Sequence, residues 1–512
     1  MTFPWLTLVG LLPIAGSLLV LVLGGRGGKA VALCVALADL VLGVAIWPMD
    51  SLAERHSWIG AIGAWYALDA DGMTKLLVLL TVILVPIVLL AEWRVGDGRV
   101  PRRRAGRPVE ADGVLPPRWS TEAFMALALM LEGFTLYVFM ASDLLLFYIF
   151  FEATLIPMYF LVAGWGGPGR TGAALKFLLY SLLGGLVLLA GVIGMYALSA
   201  GRGAPSLLTS DLTGLPMGTG TERWLFAAFF IAFAIKAPMV PVHTWLPDTA
   251  QNARPGTSVL LVGVLDKVGT FGMITLCLRL FPLGAASLQW WICGFAVASI
   301  LWGGLSANGQ NDIMRLVSYT SVSHFGFMVL GIFIGSQIAL VGAMFYMVAH
   351  GVSIAAMFLL SGWLSRRGGT QDMREYVGMQ KVTPVLAGLW LMSGLASIAL
   401  PGLSGFVPEY LVLMGTWTVN GPLALFAVLG VVIAAMYILM PYQRVFTGAP
   451  GKGKEELADL GARERCVMTP LVIAMLVLGI WSAPLVSALT PVASDLDLTN
   501  SQVPAAVEGS AQ

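Results

Sequence analysis

Charged residues are scarce in this sequence. Asp, Glu, Lys and Arg together make up 11% of the 512 residues, whereas 58% are hydrophobic. An ordinary soluble domain carries about a quarter charged residues, so a soluble globular chain is excluded. The apolar stretches run almost without interruption from Phe3 to Leu489. They predict one integral membrane domain in place of the three or four domains that the length alone suggests.

Cysteine is scarce as well, and no cysteine spacing fits a metal site. The four cysteines are Cys34, Cys277, Cys293 and Cys466. None belongs to a CxxC or CxxxC pattern that could hold zinc or an iron–sulfur cluster, and we expect them to pack in or beside the spans. The net charge of +1 gives no information about an acidic partner, and we expect no nucleic acid among the partners. The first 23 residues lack the basic region of a signal peptide and predict a retained first helix.

Fourteen segments are long and apolar enough to cross a membrane, a span being about 20 residues. They lie at 3–23, 29–47, 73–93, 120–140, 143–163, 171–198, 223–245, 257–280, 290–307, 314–335, 338–364, 385–414, 423–446 and 468–489. The sequence therefore predicts an all-α polytopic membrane protein. Residues 1–490 form its single domain, and 491–512 form a polar tail.

The basic residues predict the orientation of these spans. Of the 29 Lys and Arg, 21 fall in loops that follow odd-numbered spans. Lys and Arg in short loops stay on the cytoplasmic side, so both termini should lie outside. The Arg-rich stretch 94–118 could also be interpreted as an anionic-lipid patch, but it carries the same topological signal.

Two spans are interrupted by proline. The seventh contains Pro238 and Pro241, and the twelfth contains Pro401 and Pro408. Proline removes a helix donor, which a bilayer tolerates only where protein or water satisfies the freed carbonyls. A matched pair of broken spans is also typical of an internally repeated transporter with its site near the midplane. We place the two inverted five-helix repeats at 120–280 and 287–446.

Six ionisable side chains lie well inside predicted spans. They are Glu152, Lys236, Lys267, His324, His350 and Glu409. A charged group at the centre of a span costs about 2.5–3.5 kcal/mol even on the lenient insertion scale, so it is rarely accidental. Lys, Glu and His exchange protons once burial shifts their pKa values, whereas Arg does not, and the spans hold no central Arg. The set predicts a proton relay.

Other interpretations of these side chains stay open at this point. Buried charges can be structural ion pairs, and a single imidazole can bridge two helices. A metal site at His324 and His350 has no third ligand in the sequence. Glu132 is a weaker relay candidate. Asp266 neighbours Lys267, but adjacent helical residues point about 100° apart, so the two are not expected to share a face.

Three motifs resemble the antiporter-like subunits of respiratory complex I. They are FYIFFEATLIP at 147–157, KAPMVPVHTWLPD at 236–248 and SYTSVSHFG at 318–326, and the likeness extends over nearly the whole chain. It implies fourteen helices in two inverted repeats, a fold shared with subunits of multisubunit cation/proton antiporters. Most of these paralogues carry lysine in the twelfth span, so Glu409 favours the type that carries glutamate there. That type also lacks the long lateral helix of another paralogue, in agreement with the length.

The resemblance also implies a role for each buried group. Glu152 and Lys236 resemble the interacting pair of one half-channel, Lys267 with His324 resembles the central connection, and Glu409 resembles the exit-side residue. His350 resembles a residue of the central hydrophilic axis, and His243 a motif histidine of less settled role. The chain departs from the family at Gln251 and Asn252, where many relatives carry a histidine and an acidic residue. A proton uptake path through that loop is therefore in question.

The resemblance implies proton translocation in the membrane arm of NADH:quinone oxidoreductase. Flavin, iron–sulfur clusters and quinone would belong to partner subunits, with no cofactor in this chain. Its partners would be the bilayer and other membrane subunits, including antiporter-like neighbours, and its location a bacterial plasma membrane more readily than a mitochondrial inner membrane. A cation/proton antiporter subunit is the alternative, and a structural spacer in the membrane arm is a third interpretation.

Overall fold

The computed structural model describes residues 3–50, 52–96, 117–203, 205–451 and 453–496, and most of these are helical. The α-helices are α1 (Trp5–Leu23), α2 (Gly25–Ile46), α3 (Gly72–Ala91), α4 (Thr121–Met140), α5 (Leu144–Ala153), α6 (Leu155–Trp165), α7 (Arg170–Ala200), α8 (Thr209–Leu212), α9 (Thr219–Lys236), α10 (Trp245–Asn252), α11 (Pro255–Ser258), α12 (Lys267–Gly272), α13 (Pro282–Asn308), α14 (Ile313–Phe333), α15 (Gln337–Gly368), α16 (Met379–Val382), α17 (Pro384–Ser397), α18 (Phe406–Val419), α19 (Gly421–Phe446), α20 (Ala462–Ile480) and α21 (Ala483–Ser494). Two π-helical segments, Val259–Leu265 and Met273–Leu278, flank α12. The predicted polytopic helical fold is confirmed.

Each of the fourteen predicted spans contains helix. In the described part of the chain, eleven helical segments are long and apolar enough to cross a membrane, and α20 with α21, bent by 69°, makes a twelfth if counted as one span. The two remaining segments are the interrupted ones. The seventh, α9, carries Glu222, Arg223 and Lys236, and the twelfth is divided into two short helices. The count of fourteen crossings therefore stays a prediction.

Both proline-containing breaks occur where the sequence places them. Helix α9 ends at Lys236, and residues 237–244 form turns before α10 begins. Helix α17 ends at Ser397, and α18 begins at Phe406, so Pro401 lies in the gap. Pro408 lies in the first turn of α18, where a missing N–H leaves no helix bond unmade. At both breaks, backbone groups lack their usual helix hydrogen bonds. Regular helix packing is therefore interrupted at these two positions in the interior.

A β-hairpin between α2 and α3 departs from the all-α prediction. Strands β1 (Leu52–Ile59) and β2 (Ala64–Ala70) pair antiparallel, with Leu52 opposite Ala70. The carboxylate of Glu54 accepts the backbone N–H groups of Leu6 and Thr7, at 2.7 and 3.1 Å. The hairpin thus closes over the start of α1. Strands of eight and seven residues are too short to form a span, so the apolar pattern that identifies spans did not indicate this hairpin.

The middle of the molecule is formed by three segments. The most apolar stretch of α15 is fully buried, and those of α14 and of Pro255–Leu278 are 94% buried, whereas those of α1, α2 and α19 are 39%, 28% and 33% buried. Inside Pro255–Leu278 the helix changes from α to π and back around Lys267. Short π segments are frequent at functional sites. These three segments carry Lys267, His324 and His350, so these side chains lie at the centre of the fold.

Parts of two predictions fall outside the described residues. Positions 97–116 of the Arg-rich stretch and 497–512 of the polar tail belong there. Helix α21 runs to Ser494, across the boundary predicted at residue 490. The two repeats at 120–280 and 287–446 remain a prediction.

Candidate functional site

Lys267 lies at the centre of the buried polar groups. Its Nζ is 2.6 Å from Nδ1 of His350 and 3.2 Å from the carbonyl oxygen of Val262. The carbonyl lies in the π segment five residues earlier. The ring of Phe325 faces the same ammonium at 4.6 Å. Lys267 is fully buried, so these contacts replace its hydration, and cations over aromatic faces gain further electrostatic attraction.

The two histidines lie side by side next to Lys267. The ring centroids of His324 and His350 are 5.1 Å apart, and Nε2 of His350 is 3.3 Å from Oγ of Ser321. Both histidines are buried. The resemblance paired Lys267 with His324, but the hydrogen-bonded contact is made by His350, with His324 one ring further away.

Two tyrosines adjoin His324 and Glu409. The Tyr346 hydroxyl donates to Oε2 of Glu409 at 2.6 Å, and the Tyr437 hydroxyl lies 3.2 Å from Nε2 of His324. The rings of His324 and Tyr346 are 5.8 Å apart. All of these side chains are buried. The sequence analysis missed both tyrosines, although Tyr346 precedes His350 by four residues and so shares its helix face. Tyr437 has no comparable signal.

Lys236 forms a second centre with Glu152. Its ammonium is buried without a hydrogen-bond partner among the described residues, and it faces the rings of Phe151 at 5.2 Å and Phe177 at 5.8 Å. One oxygen of Glu152, Oε1, is equally unpartnered. The two charges act on each other electrostatically. The structure therefore brings this predicted pair into one region without a closed ion pair.

Gly185 of α7 makes room for the Glu152 carboxylate. A Cβ atom at position 185 would overlap with Oε1 of Glu152. Any larger residue would have to displace the carboxylate, so the backbone of α7 fixes one side of its position.

Asp266 is the buried acid that the sequence analysis set aside. It is fully buried, and neither of its carboxylate oxygens has a hydrogen-bond partner in the described ranges. The charges that act on it are Lys236 and Lys267. The expectation that Asp266 and Lys267 face different directions agrees with their separate neighbours. A signal was available, since a carboxylate in the middle of a span is costly by itself.

Glu132 and His243 lie apart from this series of contacts. Glu132 of α4 is buried against Asp39 of α2 and faces none of the six predicted groups. His243 lies in the turns between α9 and α10, with its ring 6.1 Å from Tyr319. The structure thus places Lys267, His350, His324 and Glu409 in one series of neighbours and Glu152 with Lys236 in a second region, and it leaves Glu132 and His243 at the side.

The loop that departs from the family pattern is held by side-chain contacts. Asp248 accepts from both Lys176 and Arg315 at 2.5 Å. The Gln251 amide donates to Asp312 at 2.9 Å, and Oδ1 of Asn252 accepts the backbone N–H of Gly169 at 3.0 Å. Both departing residues therefore tie the loop to neighbouring helices.

Two cavities open among the loops. One of about 400 Å³ is lined by residues that include Gln251, Asn252 and Arg254, in loops after odd-numbered spans. The other, of about 430 Å³, includes Asp69 and Arg279, from loops after even-numbered spans. If the basic loops are cytoplasmic, the cavities open on opposite sides of the membrane.

Comparison with known proteins identifies the family. The family model described as NADH:quinone oxidoreductase/Mrp antiporter, TM, matches residues 141–434. NADH-quinone oxidoreductase subunit M of Mycobacterium tuberculosis (strain ATCC 25618 / H37Rv) is 41% identical over 95% of this chain and 93% of its own length. Subunit M of Rhodobacter capsulatus is 33% identical over 95% of each chain.

Solved structures agree with these relatives. A chain of respiratory complex I from Thermus thermophilus with bound NADH matches with a TM-score of 0.85 and 32% identity, over 96% of this chain and 99% of that one. A chain of the Mrp complex from Dietzia sp. DQ12-45-1b matches with a TM-score of 0.82 but 20% identity, which shows the shared fold alone. The chain therefore belongs to the antiporter-like membrane subunits of NADH-quinone oxidoreductase, as a member of the subunit M type that Glu409 predicted.

Proposed function

We propose that this chain moves protons across the membrane as a membrane-arm subunit of NADH:quinone oxidoreductase. The observation that carries the proposal is a series of titratable groups inside the helical fold, which begins at the half-buried Glu152 and ends at the buried Glu409. Direct contacts join Lys267 to His350 and Glu409 to Tyr346. An ionisable group inside a membrane costs free energy, so a series of this many is not expected in helices that only span the bilayer.

The contacts support a role for each group in the proposed relay. The Lys267 ammonium can hand a proton to Nδ1 of His350, because these two atoms are already within hydrogen-bond distance. An imidazole accepts on one nitrogen and releases from the other, so the His324 ring, which meets His350 edge to face, extends the path. The hydroxyls of Tyr437 and Tyr346 then lead to Glu409. Glu152 and Lys236 respond to charge at the other end of the series.

The energy for this movement comes from electron transfer in other subunits. Flavin, iron–sulfur clusters and quinone belong to those partners, and neighbouring antiporter-like subunits adjoin the chain in the membrane. The coupling is electrostatic, because a proton gained or lost at one member of a coupled buried pair changes the affinity of the other.

The proposal includes an orientation in a bacterial plasma membrane. The basic loops face the cytoplasm, so both termini lie outside. The cavity near Gln251 then opens to the cytoplasm, and the cavity near Arg279 opens to the exterior.

Substitution of two relay residues tests the proposal. Lys236→Ala removes one proton carrier, and Glu409→Gln keeps the size of its side chain without the ability to ionise. We expect both variants to assemble and to show a reduced proton-to-electron stoichiometry in vesicles. Lys381→Ala is the matched control, because this lysine is exposed on α16. Wild-type stoichiometry in both relay variants contradicts the proposal and favours a structural spacer.

The antiporter alternative is not favoured. Two subunit M relatives share 33% and 41% identity with this chain, against 20% for the Mrp chain. Sodium-dependent proton flux in the absence of NADH and quinone is the result that would support the alternative.

A further inference from the structure

We infer that Asp266 is a proton-carrying residue that connects Lys236 to Lys267. The inference rests on the proposed function and deepens it, because it adds a group between the two halves of the relay. Without Asp266, the described contacts leave Lys236 and Lys267 as separate centres.

Glycine packing places Asp266 at the broken end of α9. A Cβ atom at Gly269 would lie 2.6 Å from the backbone nitrogen of Ala237, and one at Gly272 would overlap with the Phe233 ring. Residues three apart share a helix face, so Asp266 lies on the same face as Gly269, one turn later. The contact moves from Phe233 to Ala237 as the numbering falls from 272 to 269. Asp266, one turn earlier, therefore lies beside the end of α9 that Lys236 occupies.

Lys267 points to another neighbour. Its ammonium contacts His350 of α15 and faces Phe325 of α14. Consecutive helical residues point about 100° apart, so one short segment can present side chains to two different neighbours. Asp266 faces α9, and Lys267 faces α14 and α15.

The unmade hydrogen bonds of Asp266, together with its place beside Lys236 and Lys267, distinguish a carrier from a structural anchor. A buried carboxylate that stabilises packing is expected to accept hydrogen bonds, because an unpaired buried charge is costly. Both oxygens of Asp266 and the Nζ of Lys236 lack such partners in the described part of the chain. These two opposite charges are thus available to each other and to Lys267.

The proton transfer balances in two steps. The Lys236 ammonium gives a proton to the Asp266 carboxylate, which leaves a neutral amine and a carboxylic acid. The acid then gives the proton to a neutral Lys267 amine, so the carboxylate is restored and an ammonium forms. No oxidant or other reactant is required, and the new ammonium faces His350.

Two substitutions of Asp266 in the intact complex test this role. Asp266→Asn keeps the shape without a proton carrier, and we expect it to lower coupled proton pumping by about tenfold or more, since a positioned acid or base typically contributes at least that much. Asp266→Glu keeps the carboxyl group and should restore most of the pumping with a shifted pH profile. The control is Asp39→Asn, which removes another fully buried carboxylate without hydrogen-bond partners among the described residues. Asp39 lies against Glu132, outside the proposed relay, so this variant should pump normally.

The outcomes separate this inference from the proposed function. Wild-type pumping by Asp266→Asn, together with impaired Lys236→Ala, overturns the inference and leaves the proposed function intact. Normal pumping by all of these variants overturns the proposed function. Equal impairment of the Asn and Glu variants assigns Asp266 a packing role and also overturns the inference. If the Asn variant does not assemble, the pH profile of Asp266→Glu decides, and an unshifted profile counts against a proton carrier.

Discussion

The hydrogen bond between Tyr346 and Glu409 gives the sharpest quantitative prediction. Tyr346→Phe removes one hydroxyl and keeps the ring that packs 5.8 Å from His324 and 6.2 Å from Phe327. The lost bond is 2.6 Å long and buried. A hydrogen bond to a charged group contributes about 1.5–3 kcal/mol, which corresponds to about a 10- to 150-fold change in an equilibrium constant. Ionisation of Glu409, and with it proton release, should become less favourable by that factor.

The assay is proton pumping by the purified complex in sealed vesicles, followed with a pH-sensitive dye during NADH oxidation. We expect Tyr346→Phe to assemble normally and to pump more slowly, with the largest deficit at low external pH. Tyr442→Phe is the control, because it removes a tyrosine hydroxyl from a ring that stacks on Phe446 away from the relay. A Tyr346→Phe variant that pumps at the wild-type rate across the pH range refutes the assignment of this bond to the relay.

Three further predictions follow from the same structure. Gly185→Ala should displace the Glu152 carboxylate and lower pumping in an assembled complex, and an unchanged pumping rate would show that this carboxylate has freedom to move. Lys267→Arg keeps a positive charge that does not release its proton, so pumping should be lost, and retained pumping would exclude Lys267 as a carrier. Burial raises the pKa of Asp248. Hydrogen bonds to its carboxylate, of which the one from Lys176 has the largest effect, outweigh burial and leave the pKa below its usual value. The stabilisation is then present above about pH 4 and lost as the pH falls through the lowered pKa. Thermal unfolding of Asp248→Asn should differ from wild type at neutral pH and converge with it in acid, whereas a constant difference contradicts the assignment.

The sequence predicted the features that depend on the free-energy cost of placing single residues in a bilayer. Apolar length identified the helices, because a span must satisfy its backbone by itself. Proline marked both breaks, since Pro238 and Pro401 remove helix donors. The expense of charge in a bilayer singled out Lys236, Lys267 and their companions.

Features that depend on which helices meet were not predicted. The contact between Lys267 and His350 joins residues 83 positions apart, and that between Tyr346 and Glu409 joins residues 63 apart. No periodicity specifies such distances. The hairpin of β1 and β2 was missed for a related reason, because its Glu54 is fixed by the start of α1.

The sequence alone thus determined a polytopic membrane chain, its breaks and the buried groups that could carry protons, since each follows from the free energy of a residue in a bilayer. Tertiary structure decided the order of those groups. It placed His350 between Lys267 and His324, added the two tyrosines before Glu409, and turned Asp266 towards α9. Proton transfer depends on distances of a few ångströms between side chains on different helices, and these are set only when the helices pack.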